Sequence, residues 1–138
     1  MNSTILYIII GYVALAGIIY LVQEYFIFKP EKLHANFKYK YDVPFKELFF
    51  EVEQGVSING LHFTVDKLLG LVLYFHGNTR SIKGWAKYAK DFLRYKYDVV
   101  LVDNRGFGNS TGKSSERDML TDMQFVYDTL AVQYTEHQ

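Results

Sequence analysis

The residues best suited to chemistry lie in one glycine-rich stretch, GFGNSTGKS at positions 106–114. Residues 108–112 fit G-x-S-x-G, the turn that presents a nucleophilic serine for acyl transfer. Gly112-Lys113-Ser114 looks like the end of a phosphate-binding P-loop. The glycines at 106, 108 and 112 suggest the fingerprint of a dinucleotide site. The three motifs imply three different chemistries, so each is tested against its required spacing and context.

Spacing argues against both phosphate-binding interpretations. A P-loop needs a glycine five residues before Gly112, and position 107 is phenylalanine. A dinucleotide fingerprint needs G-x-G-x-x-G, whereas this run is G-x-G-x-x-x-G. Asp103 also places a negative charge at the end of the preceding strand, where a pyrophosphate would need positive surroundings. We therefore predict neither kind of site.

The serine interpretation fails on structural context. A nucleophile elbow turns directly from a strand into a helix, so that the strained serine projects above the sheet. Here residues 103–107 separate the predicted strand from Gly108, and the next helix is predicted to begin near Ser115. The single downstream histidine, His137, has no strand before it that could hold it within reach of Ser110. We expect Ser110 to bond backbone groups instead of attacking a substrate.

The N-terminus carries the strongest hydrophobic signal. No side chain is charged before Glu24, and Ile5–Val22 reads ILYIIIGYVALAGIIYLV. A helix of this length rises about 27 Å, close to the hydrocarbon thickness of a bilayer. Residues 1–28 are therefore predicted to be a transmembrane anchor that contacts the lipid bilayer through residues 5–22. The absence of a polar face disfavours a helix buried in a soluble core.

A cleaved signal peptide is the main alternative for this segment, because Ala14-Leu15-Ala16 mimics a small-residue cleavage site. No Lys or Arg precedes the apolar run, however, and the run continues for six residues past Ala16. Lysines at 29, 32, 38 and 40 follow the run. The positive-inside rule then predicts a single-pass protein with its N-terminus outside and its soluble part in the cytoplasm.

Composition excludes several classes of function. The chain has 138 residues, and its 15 basic residues equal its 15 acidic ones, so no global positive field attracts nucleic acid. We predict no nucleic-acid partner. The absence of cysteine excludes disulfides, cysteine-based zinc sites and a cysteine nucleophile. No metal site and no cofactor are predicted.

The soluble part divides into a connector, residues 29–45, and an α/β region, residues 46–138. Glu47–Glu53 and Val56–Val65 are predicted to be antiparallel strands, and the Asn59-Gly60 pair signals a hairpin or tight bend. Two apolar runs predict strands buried on both faces, Gly70–Phe75 and Asp98–Val102.

Helical periodicity fills the gaps between and after the two buried strands. Ser81–Tyr95 is predicted to be one amphipathic helix. A second helix begins at Ser115, which forms a capping box with Asp118 three residues later. The residues predicted to face inward on this helix are Leu120, Met123, Val126, Tyr127 and Leu130. A strand–helix–strand–helix order predicts an α/β fold with a parallel sheet and right-handed crossovers.

Two motifs at this separation carry a family resemblance. YFHGN at Tyr74–Asn78, followed by a helix and then by VDNRGFGNSTG at Val102–Gly112, resembles the α/β-hydrolase fold. The similarity points to its serine-aminopeptidase-like branch, many of whose members carry an N-terminal membrane anchor. It extends from about Lys29 to the end of the chain and corresponds to the N-terminal part of such a domain.

The resemblance places an oxyanion hole in the loop that contains His76, Gly77 and Asn78. Gly77 would let the backbone turn sharply, so that the next N–H points to where a carbonyl oxygen becomes charged. The Asn78 amide is the first candidate donor and the Thr79 amide the second. We expect His76 to be a structural residue and not a base.

The second motif would be a structural crossover that borders the active site. The resemblance implies that Asp103 and Arg105 hold each other and nearby backbone groups. Gly106 and Gly108 would supply positive φ angles, and Ser110 would bond the backbone.

The resemblance also implies what this sequence lacks. In the family the nucleophile elbow follows the fifth strand, and the acid and the histidine come later. Four strands are predicted here, and the sequence stops in the helix before the fifth. We therefore expect a truncated N-terminal portion that is inactive alone.

The resemblance suggests a full-length form that is a membrane-anchored serine hydrolase. Such an enzyme would cleave an ester, thioester or peptide bond of a small-molecule or peptide substrate through an acyl-enzyme. The alternative hypothesis is a non-catalytic, membrane-tethered module that binds a protein partner.

Overall fold

A computed structural model describes residues 2–34 and 36–134. His137, which the sequence offered as a distant base, lies outside the described residues. Helix α1 (Ser3–Ile27) contains the predicted anchor, and none of its residues is buried. It is long and apolar enough to cross a membrane, judged by length and composition. The helix is therefore not part of the core, which removes one of the alternatives considered for this segment.

A short strand follows α1 directly. Strand β1 (Lys29–Pro30) pairs in parallel with a second short strand at residues 79–80. Next come two long antiparallel strands, β2 (Phe45–Glu53) and β3 (Val56–Phe63), as the sequence predicted. The turn between them contains Gly55, whose φ is 78°.

The Asn59-Gly60 pair does not form a turn, so that part of the prediction is wrong. Both residues lie inside β3, and Gly60 pairs with Leu48 on one side and Val102 on the other. A Cβ at position 60 would lie 3.1 Å from the carbonyl oxygen of Leu101. The glycine is therefore used for close approach of two strands, which is a known reason for glycine in a strand interior.

The remaining strands complete a four-stranded sheet. They are β4 (Gly70–Phe75), the short β5 (Thr79–Arg80), which pairs with β1, and β6 (Tyr97–Val102). The main sheet has the order β2-β3-β6-β4, with β4 and β6 parallel. Strand β6 is central and buried, as predicted. Strand β4 is only half-buried because it lies at the sheet edge, which corrects the prediction that both its faces are covered.

The helix predicted over Ser81–Tyr95 is broken into three short pieces. These are α2 (Ile82–Trp85), a 3₁₀ turn (Ala86–Tyr88) and α3 (Ala89–Leu93). Glycine and aromatic residues, which are weaker helix formers, lie in the first two pieces. The apolar periodicity survives the break, because Ile82, Ala86 and Ala89 are all buried.

The last helix, α4 (Glu116–Ala131), begins where the sequence predicted. The Ser115 hydroxyl oxygen accepts from the Asp118 N–H at 3.1 Å. Its inner face is rotated from the prediction, since Leu120 is 65% exposed and Tyr127 is 56% exposed.

The side chains of α4 that are buried are Asp122, Val126 and Leu130. They are spaced four residues apart and so form one stripe along the helix.

The core has two layers, one on each face of the sheet. Side chains alternate along β6, so that Val99 and Leu101 face α2 and α3 while Val100 and Val102 face α4. One layer contains Leu61, Phe63, Ile82, Ala86, Ala89 and Tyr39 besides those two β6 residues. The other contains Phe50, Ile58, Val126 and Leu130. This helix–sheet–helix arrangement confirms the predicted α/β class.

The edge position of β4 generates a prediction about amide protection. In a parallel pair, alternate residues of an edge strand direct their N–H groups away from the partner strand. For the chain in detergent micelles, we expect slow hydrogen exchange at every second amide of 71–75 and fast exchange at the others. The amides of 99–102 in central β6 should all exchange slowly and serve as the control. Slow exchange at all amides of 71–75 in a monomer would contradict the edge assignment.

Candidate active site

The candidate site lies at the carboxyl ends of the parallel strands β4 and β6, the edge where α/β sheets place their ligands. His76 follows β4 directly and is only 6% exposed. Its Nδ1 lies 2.7 Å from the Gly77 carbonyl oxygen, and its Nε2 lies 2.9 Å from Oδ1 of Asp103. Nδ1 is the donor to Gly77, because a carbonyl oxygen only accepts. Both ring nitrogens are therefore engaged within the fold, which agrees with a structural role.

Asp103 follows β6 and is fully buried beneath the loop. Its Oδ1 also accepts from the Ile82 N–H at 2.9 Å, which joins it to the start of α2. Burial raises the pKa of the Asp103 carboxyl, and the hydrogen bond from His76 acts in the opposite direction. Its other oxygen, Oδ2, has no hydrogen-bond partner in the part of the chain that the structure describes.

Arg105 does not pair with Asp103, so the expected contact between them is wrong. Its Nε lies 2.6 Å from Oδ2 of Asp122 and its Nη2 lies 2.8 Å from Oδ1, a bidentate pair with α4. Its Nη1 lies 2.6 Å from Glu53 at the end of β2. Hydrogen bonding to Asp122 is the main cause that raises the pKa of Arg105, followed in the same direction by the bond to Glu53. The guanidinium therefore serves as a permanently charged link between a helix and a strand.

As the sequence predicted, Ser110 lies on a loop and is hydrogen-bonded to backbone groups. It is fully buried, its Oγ accepts from the Asn59 N–H at 2.8 Å, and its hydroxyl lies 3.3 Å from the Asp103 carbonyl oxygen. A hydroxyl held this way does not reach a substrate. The prediction of positive φ is confirmed too, with 75° at Gly106 and 50° at Gly108.

The proposed oxyanion donors, Asn78 and Thr79, are exposed at the surface. The Asn78 carbonyl accepts from the Lys29 N–H at 2.8 Å, which fixes the peptide plane that follows Asn78. No acceptor for the Asn78 N–H is found among the described residues. Thr79 belongs to β5 and is paired with Lys29. The assignment of these two amides to an oxyanion hole stays a prediction.

The connector contributes residues that sequence reasoning did not assign to the site. The Glu31 carbonyl accepts from the Gly108 N–H at 2.8 Å, and the Gly108 carbonyl accepts from the Leu33 N–H at 3.1 Å. The Glu31 carboxylate lies 3.0 Å from the Ser81 hydroxyl and 2.6 Å from the Lys83 ammonium. The hydrogen bond from Lys83 is the largest cause that lowers the pKa of Glu31. The connector is therefore packed across the loop ends and is not a free linker.

The fold and its two loops match one known family. Residues 70–134 match the family described as alpha/beta hydrolase fold. The matched residues are just under half of the chain, and the described structure has the fold of part of an α/β-hydrolase. Among curated proteins it is similar to lysophosphatidylserine lipase ABHD12 of Danio rerio, with 41% identity over 59 residues, and to that of Bos taurus, with 39% identity over 64 residues. The esterase Pf2001 of Pyrococcus furiosus has a similar fold, with a TM-score of 0.57 and 22% identity.

These similarities cover only part of each protein. The matched segments are 41% and 45% of this chain but 15% and 16% of the two lipases. The match to the esterase covers 75% of this chain and 42% of the esterase chain. The chain therefore spans much less than the length of the relatives it matches.

The contact between Gly108 and Asp103 generates a second prediction. A Cβ at position 108 would lie 2.0 Å from Oδ2 of Asp103, and φ there is positive. We expect Gly108→Ala to lower the free energy of unfolding by about 2 kcal/mol or more, from the clash and the backbone strain together. Urea unfolding followed by Trp85 fluorescence measures this.

Gly84→Ala is the matched control, because nothing lies within 4 Å of the added Cβ in helix α2. Alanine is the better helix former, so this variant should be neutral or slightly more stable. Equal stability of the two variants would show that Asp103 and Gly108 are not packed together as described.

Proposed function

We propose that this chain forms the oxyanion-hole portion of a membrane-anchored serine hydrolase that cleaves a carboxylic ester of a lysophospholipid. The observation that carries the proposal is that Asn78 is an exposed residue just beyond the carboxyl end of β4 and that its N–H has no acceptor among the described residues. The names of the similar proteins, a lysophosphatidylserine lipase and an esterase, support an ester as the bond that is cleaved.

The chemistry asked of this chain is electrostatic. When a nucleophile attacks an ester carbonyl, negative charge develops on the carbonyl oxygen, and a backbone N–H already pointing at that oxygen stabilises it. Asn78 is suited to this because its N–H shares a peptide plane with the Gly77 carbonyl, which accepts from His76 Nδ1, and because His76 is itself anchored to Asp103. The donor would therefore need no reorganisation during the reaction. Thr79 is the second candidate donor.

The nucleophile, the acid and the histidine are proposed to come from residues outside this sequence. Ser110 is buried and bonded to backbone. Ser81 is also buried, and its hydroxyl donates to Glu31. In this proposal the chain is one portion of a longer hydrolase of the serine-aminopeptidase-like branch, and it is inactive by itself.

Helix α1 is proposed to anchor the hydrolase in the bilayer, with the N-terminus outside and the main body in the cytoplasm. Its exposed apolar surface supports insertion, and the lysines that follow it support the orientation. The Lys29 ammonium lies 5.1 Å from the Tyr25 ring centroid, an arrangement suited to the boundary between lipid and water.

A serine-reactive probe tests the catalytic part of the proposal. We expect no covalent labelling of the purified chain by a fluorophosphonate, because buried Ser110 is held by backbone groups, buried Ser81 is held by the Glu31 carboxylate, and neither is hydrogen-bonded to a histidine among the described residues. Intact-mass spectrometry after incubation measures the outcome. Stoichiometric labelling that disappears in Ser110→Ala would contradict the proposal.

The positive control for the probe is a longer product of the same reading frame. It is expected to encode G-x-S-x-G after an apolar strand and to react with the probe. In it, Asn78→Pro removes the backbone N–H and should lower kcat for a lysophospholipid ester about 10²–10³-fold. Asn78→Ala keeps the N–H and should lose far less. Equal effects of the two variants would argue against a backbone donor.

Introduced cysteines test the membrane part, because the chain has no cysteine of its own. We expect Asn2→Cys to be labelled by an impermeant maleimide on intact cells, and Asn36→Cys to be labelled only after permeabilisation. Both positions are exposed, so accessibility within the fold does not bias the comparison. The protein should also stay in the membrane pellet after alkaline carbonate extraction. Labelling of position 36 from outside would reverse the orientation, and release by carbonate would contradict the anchor.

A further inference from the structure

An open cleft of about 530 Å³ lies beside the candidate oxyanion loop. Strands β1 and β5 form its floor, and its charged lining residues are Lys29, Glu31, Arg80 and Lys83. Lys29 is also the second residue after α1, so the cleft begins where the apolar helix ends.

The charges in this cleft do not balance. The Lys83 ammonium is neutralised by Glu31 at 2.6 Å. Arg80 and Lys29 have no acidic partner within 4.0 Å among the described residues, and Lys29 donates only to the Tyr25 carbonyl at 3.2 Å. Two cations therefore face one cleft without counter-charge. An anionic ligand would supply that charge.

Arg80 is also held in a backbone conformation that its residue type rarely adopts. Its φ is 67°, in the left-handed region that favours glycine, although it is a long-chain residue with a Cβ. The pairing of β5 with β1 holds it there, and its carbonyl accepts from the Glu31 N–H at 3.2 Å. Strained positions of this kind concentrate at ligand sites. Lys67 and Lys96 also have positive φ and lie outside the cleft, so the strain at Arg80 agrees with a ligand site but does not define one by itself.

The distance from Asn78 to Arg80 suits a phospholipid. The two residues are separated by one position on a nearly extended segment, so their backbones are about 7 Å apart. In a lysophospholipid, the glycerol backbone separates the carboxylic ester from the phosphate by a similar length. An ester carbonyl at the Asn78 N–H would therefore bring the phosphate beside the Arg80 backbone, within the reach of its long side chain.

We propose that this cleft binds the phosphodiester of a membrane lysophospholipid, with the Arg80 guanidinium as the main contact and the Lys29 ammonium as the second. The fork of an arginine matches two phosphate oxygens at once. This assignment rests on the proposed function, because it uses an ester held at Asn78. It adds that the headgroup phosphate, not the acyl chain alone, selects the substrate.

A second cavity supports a membrane source for the ligand. Lys29 and Pro30 also line this cavity of about 500 Å³, whose other walls include Leu21, Tyr25 and Phe28. Glu24, Lys113 and Ser114 complete its lining, so the cationic cleft adjoins a cavity of mixed polarity along the last turns of α1. A lipid at the bilayer surface presents its phosphate and its glycerol at the same height as such a boundary.

The test compares three probes with the full chain in non-ionic detergent micelles. They are radiolabelled lysophosphatidylglycerol, a monoacylglycerol of the same chain length, and glycerol 3-phosphate. Binding is measured by co-elution at fixed detergent concentration. We expect lysophosphatidylglycerol to bind at least about tenfold tighter than the other two, because only this probe has both an acyl ester and a phosphodiester.

Variants then locate the phosphate contact. Arg80→Gln should weaken lysophosphatidylglycerol binding about tenfold, Lys29→Gln should weaken it severalfold, and neither should change monoacylglycerol binding. Retained monoacylglycerol binding reports that each variant is folded. Arg94→Gln is the matched control, because Arg94 is exposed, stacks on the Tyr95 ring and lies outside the cleft. It removes the same charge and should leave binding unchanged.

Each other outcome overturns a defined part of the assignment. Equal affinity for lysophosphatidylglycerol and monoacylglycerol would overturn the phosphate contact and leave ester hydrolysis standing. Equal losses in Arg80→Gln and Arg94→Gln would show that general charge, not this cleft, attracts the lipid. Glycerol 3-phosphate binding as tightly as the lipid would indicate a site for a free phosphate. No binding of either lipid would count against both the cleft and the proposed function.

Discussion

The buried carboxyl group of Asp103 is the contact on which the site depends. It accepts from the Ile82 N–H and is bonded to His76, so it joins the end of β6 to the end of β4 and to the start of α2. Its second oxygen lies against Gly108, which allows the glycine-rich loop to close over it. A buried acceptor is costly unless it is hydrogen-bonded, and these partners offset that cost at one oxygen. Loss of this group would release three segments together.

The connector, residues 29–45, joins α1 to the loops of the candidate site. Strand β1 pairs with β5, and the Asn78 carbonyl accepts from the Lys29 N–H. Farther along, Glu31 and Leu33 bond the two sides of Gly108. A helix joined by a flexible linker would leave the main body free to turn. Here the backbone bonds begin two residues after the helix, so the orientation of the loop is tied to that of the helix.

On the opposite face of the sheet, the ion pairs of Arg105 are the main polar contact. Arg105 brings a full charge beneath α4 and is matched there by Asp122 and Glu53. Removing one partner of a buried pair leaves an uncompensated charge, which is why such groups are usually kept together. The pair also explains why α4 is rotated from its predicted face. Asp122 lies in the same helical stripe as Val126 and Leu130. A charged residue at that spacing indicates that the helix buries an ion pair.

Local patterns in the sequence determined much of this protein. The apolar run of α1, the buried character of β6, the Ser115 cap and the exclusion of Ser110 as a nucleophile follow from composition, periodicity and context, which act over short distances. The family resemblance likewise rests on two short motifs. These features survive in the structure because local chemistry and tertiary packing agree there.

Only the tertiary structure decided the partners of the polar groups. Asp103 and Arg105 are two residues apart, yet one contacts His76 and the other contacts Asp122, because the chain leaves β6 between two layers with different neighbours. The use of Gly60 for close strand approach and the pairing of Lys29 with Thr79 also depend on segments distant in sequence. Short-range sequence patterns do not specify which distant segments pack against each other. The cleft beside Arg80 exists for that reason only in the folded chain.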